Sequence, residues 1–265
     1  MIGVIGSTGS TGRPLVAALK RKDLVQADTA DPASVEAGLA GCDRLFLLLG
    51  HSPVMEKQML DTIDAAKAAG VGHIVKLSGG PNIVVPDSES FVGRAHWKVD
   101  ESLKAEDVDW TILKPGFFMQ NFLNMAPMVK GMGKIMMPIP ADQAIGMIDV
   151  RDTGDAAAEV LAGAGHAGMS YMLAGETVTP SEVAAAVSTA IGKPVEYVEV
   201  PLESAVGAMK ERGMPDWLVG HQEAAMKLVV AGGMAATSDD LGRLVGRPPR
   251  TIEAFARDHA AAFAD

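Results

Sequence analysis

Met1-Ile-Gly-Val-Ile-Gly-Ser-Thr-Gly-Ser-Thr-Gly-Arg-Pro-Leu-Val-Ala-Ala-Leu-Lys20 decides the fold. The apolar run Ile2, Val4 and Ile5 reads as a buried strand that breaks at Gly6. Gly6, Gly9 and Gly12 are spaced G-x-x-G-x-x-G, and Leu15, Val16 and Leu19 then follow helical spacing. Strand, tight glycine turn and helix N-terminus is the order a nucleotide-binding β-α unit needs, because the first-turn N–H groups of the helix then face a pyrophosphate. Gly6 allows the turn, Gly9 lets backbone approach phosphate, and Gly12 lets the helix sit close on the strand. The hydroxyls of Ser7, Thr8, Ser10 and Thr11 can bond phosphate or cap the helix.

Working outward, 265 residues suffice for one large α/β domain or a domain with a smaller appendage, and 48% apolar residues supply a core. No apolar run approaches the roughly 18 residues of a membrane span, and no signal peptide is read at the N-terminus. The lone cysteine, Cys42, excludes an internal disulfide framework and fits a reducing cytoplasm. A net charge of −10 argues against nucleic acid or an anionic membrane as partner.

Downstream, Leu24–Asp28 is a short apolar segment ending in an acid, and Asp31-Pro32 opens a helix over Ala33–Leu39. Strands are expected at Asp43–Gly50, His73–Ser78 and Asp109–Leu113, and helices at Val54–Ala69 and Gly93–Ala105, with a loop from Gly79 to Phe91. This alternation means a parallel sheet wound by right-handed crossovers. Further on, the pattern gives a short strand and helix cap at Ile148–Asp152 leading into Ala156–Ala162, a strand at Ser170–Ala174, a helix from Thr179-Pro180 to Ala190 and a strand at Val195–Val200. Helices follow at Glu203–Arg212, Asp216–Ala231, Ser238–Val245 and Ile252–Phe263. The expected architecture is an α/β core over residues 1–120 and a smaller, mostly helical substrate-side region over 121–265, with 148–174 returning to the sheet and the C-terminal part capping the sheet's carboxyl edge.

The motifs resemble the NmrA-like group of atypical short-chain dehydrogenases/reductases. The matching pieces are Gly6–Gly12, Asp28-Thr-Ala-Asp-Pro32, Ala65–Ser78, Asp109–Asn121, Ile148-Asp-Val-Arg-Asp152 and Gly246-Arg-Pro-Pro-Arg250, which span nearly the whole chain. The resemblance implies a Rossmann-like parallel sheet with helices on both faces and bound NAD(P). It further implies either redox chemistry on a small apolar molecule or a cofactor-sensing regulatory role.

Two departures stand out. Members of this group carry a second strand and helix before the segment like Leu24–Asp28, and here roughly one β-α unit is missing. Either Leu24–Ala27 slides in beside the first strand, putting Asp28 at a ribose-binding position, or the sheet keeps a gap. A gap leaves strand hydrogen bonds unmet, which favours the slide. The Tyr-x-x-x-Lys pair of ordinary short-chain dehydrogenases is also absent: the only tyrosines are Tyr171 and Tyr197. His96 falls near the lysine position and Val92 near the tyrosine position, so a tyrosine–lysine relay is excluded.

Ligands of doubly wound sheets sit at the carboxyl ends of the strands, which selects Gly50 and His51, Ser78, and Pro115 and Gly116. His51 either lines the cofactor pocket or is an exposed loop histidine. Ser78 matches the group's active-site serine position and touches substrate or nicotinamide, unless it merely caps. His96 is a candidate proton donor, since histidine titrates near neutrality; the competing reading is a solvent-facing helix histidine. Pro115 and Gly116 are expected to set backbone donors by the nicotinamide, or to form a plain turn. Lys76 is read as pointing to the sheet's other face or a helix cap, with no role. The soft stretch Phe117, Phe118, Met119, Asn121 and the methionines to Met137 suits a pocket for flat apolar molecules or ordinary core. No metal-ligand spacing appears. The expected activity is NAD(P)H-dependent reduction of a quinone or a similar small conjugated carbonyl compound, against a non-catalytic dinucleotide sensor; a homo-oligomer is compatible with either.

The shortened segment generates a prediction on cofactor preference. Asp28 lies 22 residues after Gly6, and a carboxylate there bonds both ribose hydroxyls and repels a 2′-phosphate, favouring NADH. Lys20, Arg21 and Lys22 pull the other way, but they follow the first helix, at the sheet's far edge. Asp28→Ser should shift the ratio of NADPH to NADH affinity upward, and Arg21→Ala should change it little, as read by calorimetric titration. Selective loss of NADPH binding in Arg21→Ala alone would reject the slid strand.

Overall fold

A computed structural model describes residues 1–19, 24–25 and 32–264. In chain order the elements are β1 (Ile2–Ile5), α1 (Gly12–Leu19), β2 (Leu24–Val25), α2 (Pro32–Leu39), β3 (Arg44–Leu47), α3 (Met55–Ala68), β4 (His73–Leu77), α4 (Phe91–Ala105), β5 (Asp109–Pro115) and β6 (Phe117–Phe118). A 3₁₀ turn over Met119–Met125 precedes α5 (Ala126–Met132), β7 (Lys134–Met137), β8 (Ile145–Ile148), α6 (Val150–Ala162), β9 (Met169–Leu173) and β10 (Glu176–Val178). The chain ends in α7 (Pro180–Ile191), β11 (Glu196–Glu199), α8 (Leu202–Glu211), α9 (Asp216–Val230), α10 (Asp240–Val245), α11 (Ile252–Asp258) and α12 (Ala260–Phe263).

The main sheet has the order β2-β1-β3-β4-β5-β9, parallel throughout. β2 lies directly beside β1, pairing Leu24 with Ile2 and Val25 with Gly3. The sheet therefore closes over the shortened segment without a gap, as the hydrogen-bonding argument requires; Asp28 and Lys20–Lys22 lie outside the described residues. Side chains alternate across the strands. Ile5, Leu45, Leu47 and Ile74 pack under α2, α3 and α4, whereas Ile2, Val4, Phe46 and Val75 pack under α1 and α6. Helices thus cover both faces, as the alternating pattern implies.

α6 crosses back and β9 pairs β5 from Thr111↔Met169 to Pro115↔Leu173. Sequence reading missed β6, β7, the 3₁₀ turn and α5, because a continuous methionine-rich run carries neither a period of 2 nor of 3.6; it also missed the three-residue β10, too short to show a period. These pieces build two small sheets, β10-β8-β6 and β11-β7. They and α7, α11 and α12 enclose a second core containing Met119, Phe122, Ile135, Met147, Val183 and Phe255. Thr179 caps α7 reciprocally with Glu182, with Pro180 in the first turn.

Two motifs without an evident role in the sequence prove to be partners. The fully buried carboxylate of Asp152, in the first turn of α6, accepts from Arg247 Nη2 at 2.7 Å, from the Arg250 backbone N–H at 2.8 Å and from Arg250 Nη1. Asp149 caps α6 and is also bonded by Arg151 and by Gln120, which in turn accepts from the Val150 N–H. The stretch before α11 is thereby tied to the helix that packs on α1.

Asp152→Ala leaves the Arg250 backbone N–H without its acceptor and leaves both guanidiniums with Asp155 as their remaining carboxylate, and should cost about 2–3 kcal/mol. Thermal unfolding should show this as a Tm lowered by roughly 4–10 °C. Asp258→Ala breaks only an exposed pair with Arg151 and should shift stability by less than about 1 kcal/mol.

Candidate active site

The glycine loop joins β1 to α1 at the carboxyl edge of the sheet. Gly6 has φ of +83°, and a Cβ on it would stand 2.5 Å from the Leu48 carbonyl oxygen of the adjoining strand. A Cβ on Gly12 would stand 2.0 Å from the Gly6 carbonyl oxygen, so the third glycine is required by the loop's own closure. Gly9 donates its N–H to Gly6 and accepts from the Arg13 N–H, which winds the loop into the helix. Ser7 and Thr11 are buried, and Thr8, Gly9 and Ser10 are exposed. α1 is held from behind by α6, where Gly154 comes so close that a Cβ would meet Leu15 N at 2.7 Å.

Gly50 and His51 follow β3 on the same edge; Gly50 faces open space, and His51 is exposed. Beside them Ser52 Oγ is buried without a protein partner. Ser78 directly follows β4, and Gly80 lies against the Pro115 carbonyl at the end of β5. The expectation that Pro115 and Gly116 offer backbone donors is corrected. β5 runs on through Pro115, which has no N–H, and the Gly116 N–H is taken by the Leu173 carbonyl at 2.8 Å.

Lys76 and His96 do not lie where the sequence suggested. Lys76 shares strand parity with Ile74, so it enters the face under α4 and is completely buried there. α4 carries Val92, His96, Val99 and Leu103 on its buried stripe, with Asp100 one turn beyond His96. Lys76 Nζ donates to Asp100 Oδ1 at 2.6 Å and contacts His96 Nδ1 at 3.0 Å, while Ser78 Oγ donates to Asp100 Oδ2 at 2.7 Å. His96 is therefore buried, at 4% exposure, and not solvent-facing. Its ring edge lies 4.0 Å from the Cβ position of Gly79, at the mouth of the strand.

His51 stands edge-on to His96, with ring centroids 6.2 Å apart, and edge-on to His221 of α9 at 5.0 Å. His221 Nδ1 bonds Ser90 Oγ, the cap of α4, at 2.7 Å. Burial, reinforced by the neighbouring Lys76 charge, holds the His96 pKa well below 6.5. Partial desolvation by its neighbours lowers His51 as well, although its surface is exposed, and burial pushes His221 down to about 4. Desolvation pulls the Lys76 pKa down and Asp100 pulls it back up. Sequence reading passed over Lys76, Asp100, Ser90 and His221. The usable signal was a lysine at apolar parity in a buried strand, which demands a partner, and the i,i+4 pair His96/Asp100 on an apolar helix stripe.

α9 leans on α4, where Phe91 and Trp217 meet edge-on with centroids 6.4 Å apart. The chain after it crosses the sheet edge, where the Met234 carbonyl accepts from the Gly146 N–H at 2.7 Å and the Gly233 carbonyl accepts from Asn82 at 2.6 Å. A small apolar cleft between Gly80, Ile83, Gly116, Met172 and Met234 opens beneath it. Phe117 and Phe118 are half-buried nearby on β6 and Asn121 is exposed. Met119 belongs elsewhere: it has no exposed surface and packs in the C-terminal core. Among the described residues no helix is long and apolar enough to cross a membrane, and no group of three or more His, Cys, Asp or Glu is arranged to hold a metal.

An NAD(P)H azoreductase from Xenophilus azovorans is 33% identical, with 99% of each chain covered. That alignment runs over 286 positions, more than the 265 residues of this chain, so residues present in the relative are missing here. Quinone oxidoreductase 2 of Escherichia coli is 31% identical over 86% of this chain and 79% of its own length. A crystal structure of an NADPH-dependent quinone oxidoreductase from Escherichia coli, complexed with NADPH, superposes with a TM-score of 0.85 at 26% identity, covering 97% of this chain and 99% of that one. The model of the NmrA-like family matches residues 22–229, well over half the length, and the chain belongs to that family.

Proposed function

We propose that this protein is an NAD(P)H-dependent oxidoreductase that reduces a quinone or a similar small, apolar conjugated carbonyl compound. The observation that carries the reading is the meeting, at one sheet edge, of a closed glycine loop with the buried Lys76–Asp100–Ser78–His96 cluster. The names of the relatives agree with it.

The described residues fit a dinucleotide. The loop Gly6–Gly12 leaves Gly9 open to solvent at the N-terminus of α1, and Ser52 at the same edge has an unsatisfied hydroxyl. Gly6, Ser7, Thr8, Gly9, Ser10, Thr11 and Gly12 would hold the pyrophosphate, and Gly50 and His51 would flank it. When bound, the cofactor supplies hydride. The chain's own part is to orient the acceptor and to manage its oxygen. Ser78 gives its proton to Asp100 and toward a ligand can only accept. The donor role falls to His96. Phe117, Phe118 and Asn121 border the acceptor, and the apolar cleft under Met234 keeps water away from it.

Stopped-flow oxidation of NADPH and NADH against a panel of quinones and azo compounds tests this reading; no consumption above background with every acceptor would end it in favour of a dinucleotide-sensing regulator. Gly9→Val should weaken dinucleotide binding at least tenfold, about 1.4 kcal/mol, without unfolding the chain, since the loop is exposed there. His96→Ala should slow turnover by roughly a hundredfold. Because the His96 pKa lies well below 6.5, the ring is already neutral at neutral pH, and its loss of charge should produce no limb in the rate between about pH 6 and 8. A limb near 6.5 that vanishes in His96→Ala would contradict this.

A further inference from the structure

Nothing in the proposed reduction explains why a lysine should be buried beneath the sheet edge. An ammonium has three protons and no lone pair, so the 3.0 Å contact between Lys76 Nζ and His96 Nδ1 has Nζ donating and Nδ1 accepting. Asp100, at 2.6 Å and almost equally buried, keeps that ammonium charged. An Nδ1 that accepts carries no proton, and the ring's single proton then sits on Nε2. Lys76 approaches from β4, and His51 and His221 approach from the β3–α3 loop and from α9. The two oxygens of Asp100, on the ring's own helix, are bonded by Lys76 and Ser78.

We infer that Lys76 is a positioning residue: anchored by Asp100, it locks His96 as the neutral Nε2–H tautomer and turns that N–H toward the sheet edge at Gly79. For the reaction proposed above, on which this last step rests, His96 is then a fixed hydrogen-bond donor to the acceptor's oxygen and not an imidazolium acid. The oxyanion left on the reduced substrate is held by Nε2–H, and the proton that neutralises it comes from water. A neutral donor of this kind polarises a carbonyl without giving up its own proton.

The test needs neither cofactor nor substrate. Long-range ¹H–¹⁵N correlation spectra of the ¹⁵N-labelled full chain report which ring nitrogen of His96 is protonated. The parent should show a bare Nδ1 and a protonated Nε2, unchanged between about pH 6 and 9. Lys76→Met combined with Asp100→Asn removes the donor without leaving a buried unpaired charge. In that variant the Nε2–H preference should be lost, the two tautomers should exchange, and the ring should titrate nearer pH 6.5. In turnover, kcat should fall roughly tenfold or more with KM nearly unchanged. A proton on Nδ1 in the parent, an imidazolium at pH 7, or an identical His96 spectrum in the folded double variant would overturn the inference. Should the variant not fold, the parent spectrum decides alone. A protein that reduces nothing but shows the expected tautomer would reject the enzymatic reading and leave the role of Lys76 intact.

Discussion

A charged lysine with no water around it is the constraint on which this structure turns. Lys76 sits in a central strand and has no exposed surface. Removing one partner of such a pair costs about 3–5 kcal/mol, a large part of the roughly 5–15 kcal/mol that holds a domain folded. Asp100 must therefore lie where it does, and with it the register of α4 on the sheet is set. That register brings His96 against the same ammonium and leaves Ser78 bonded to the second carboxylate oxygen. One electrostatic requirement thus fixes a strand, a helix and the two polar groups nearest the sheet edge.

The glycine loop answers to a different constraint, steric and not electrostatic. Gly6 and Gly12 are confined by each other and by Leu48, and Gly154 allows α6 to press α1 onto the strand. These contacts involve β1, β3, α1 and α6. The pairing of β2 with β1 leaves the sheet continuous on that side.

Most of the fold was legible in the sequence. β1, β3, β4 and β5 are buried on both faces and read as apolar runs, and α3, α4 and α7 carry strong stripes or caps. Legibility failed where the pattern had no period. The segment from Met119 to Met147 is apolar nearly throughout, so its short strands and α5 could not be separated from one another. At the site, residues named by their place at a strand's carboxyl end were found at that edge: the glycine loop, His51 and Ser78. Those that act through tertiary pairing were missed or misread. Lys76 looked idle because its partner is on α4, 24 residues away, and Gly116 looked free because Leu173 is on a strand that returns much later. His221 depends on the packing of α9 across α4, which no local pattern encodes.

The central claim is that the glycine loop and the cluster at β4 and α4 form one ligand site. Titrating NADPH into ¹⁵N-labelled protein and following backbone amide shifts tests this directly. The account predicts saturable shifts in Gly6–Gly12, Gly50–Ser52 and Ser78–Gly80, with the Arg151–Asp258 surface unmoved. Saturable shifts confined to other surfaces, or none at millimolar NADPH and NADH, would contradict it.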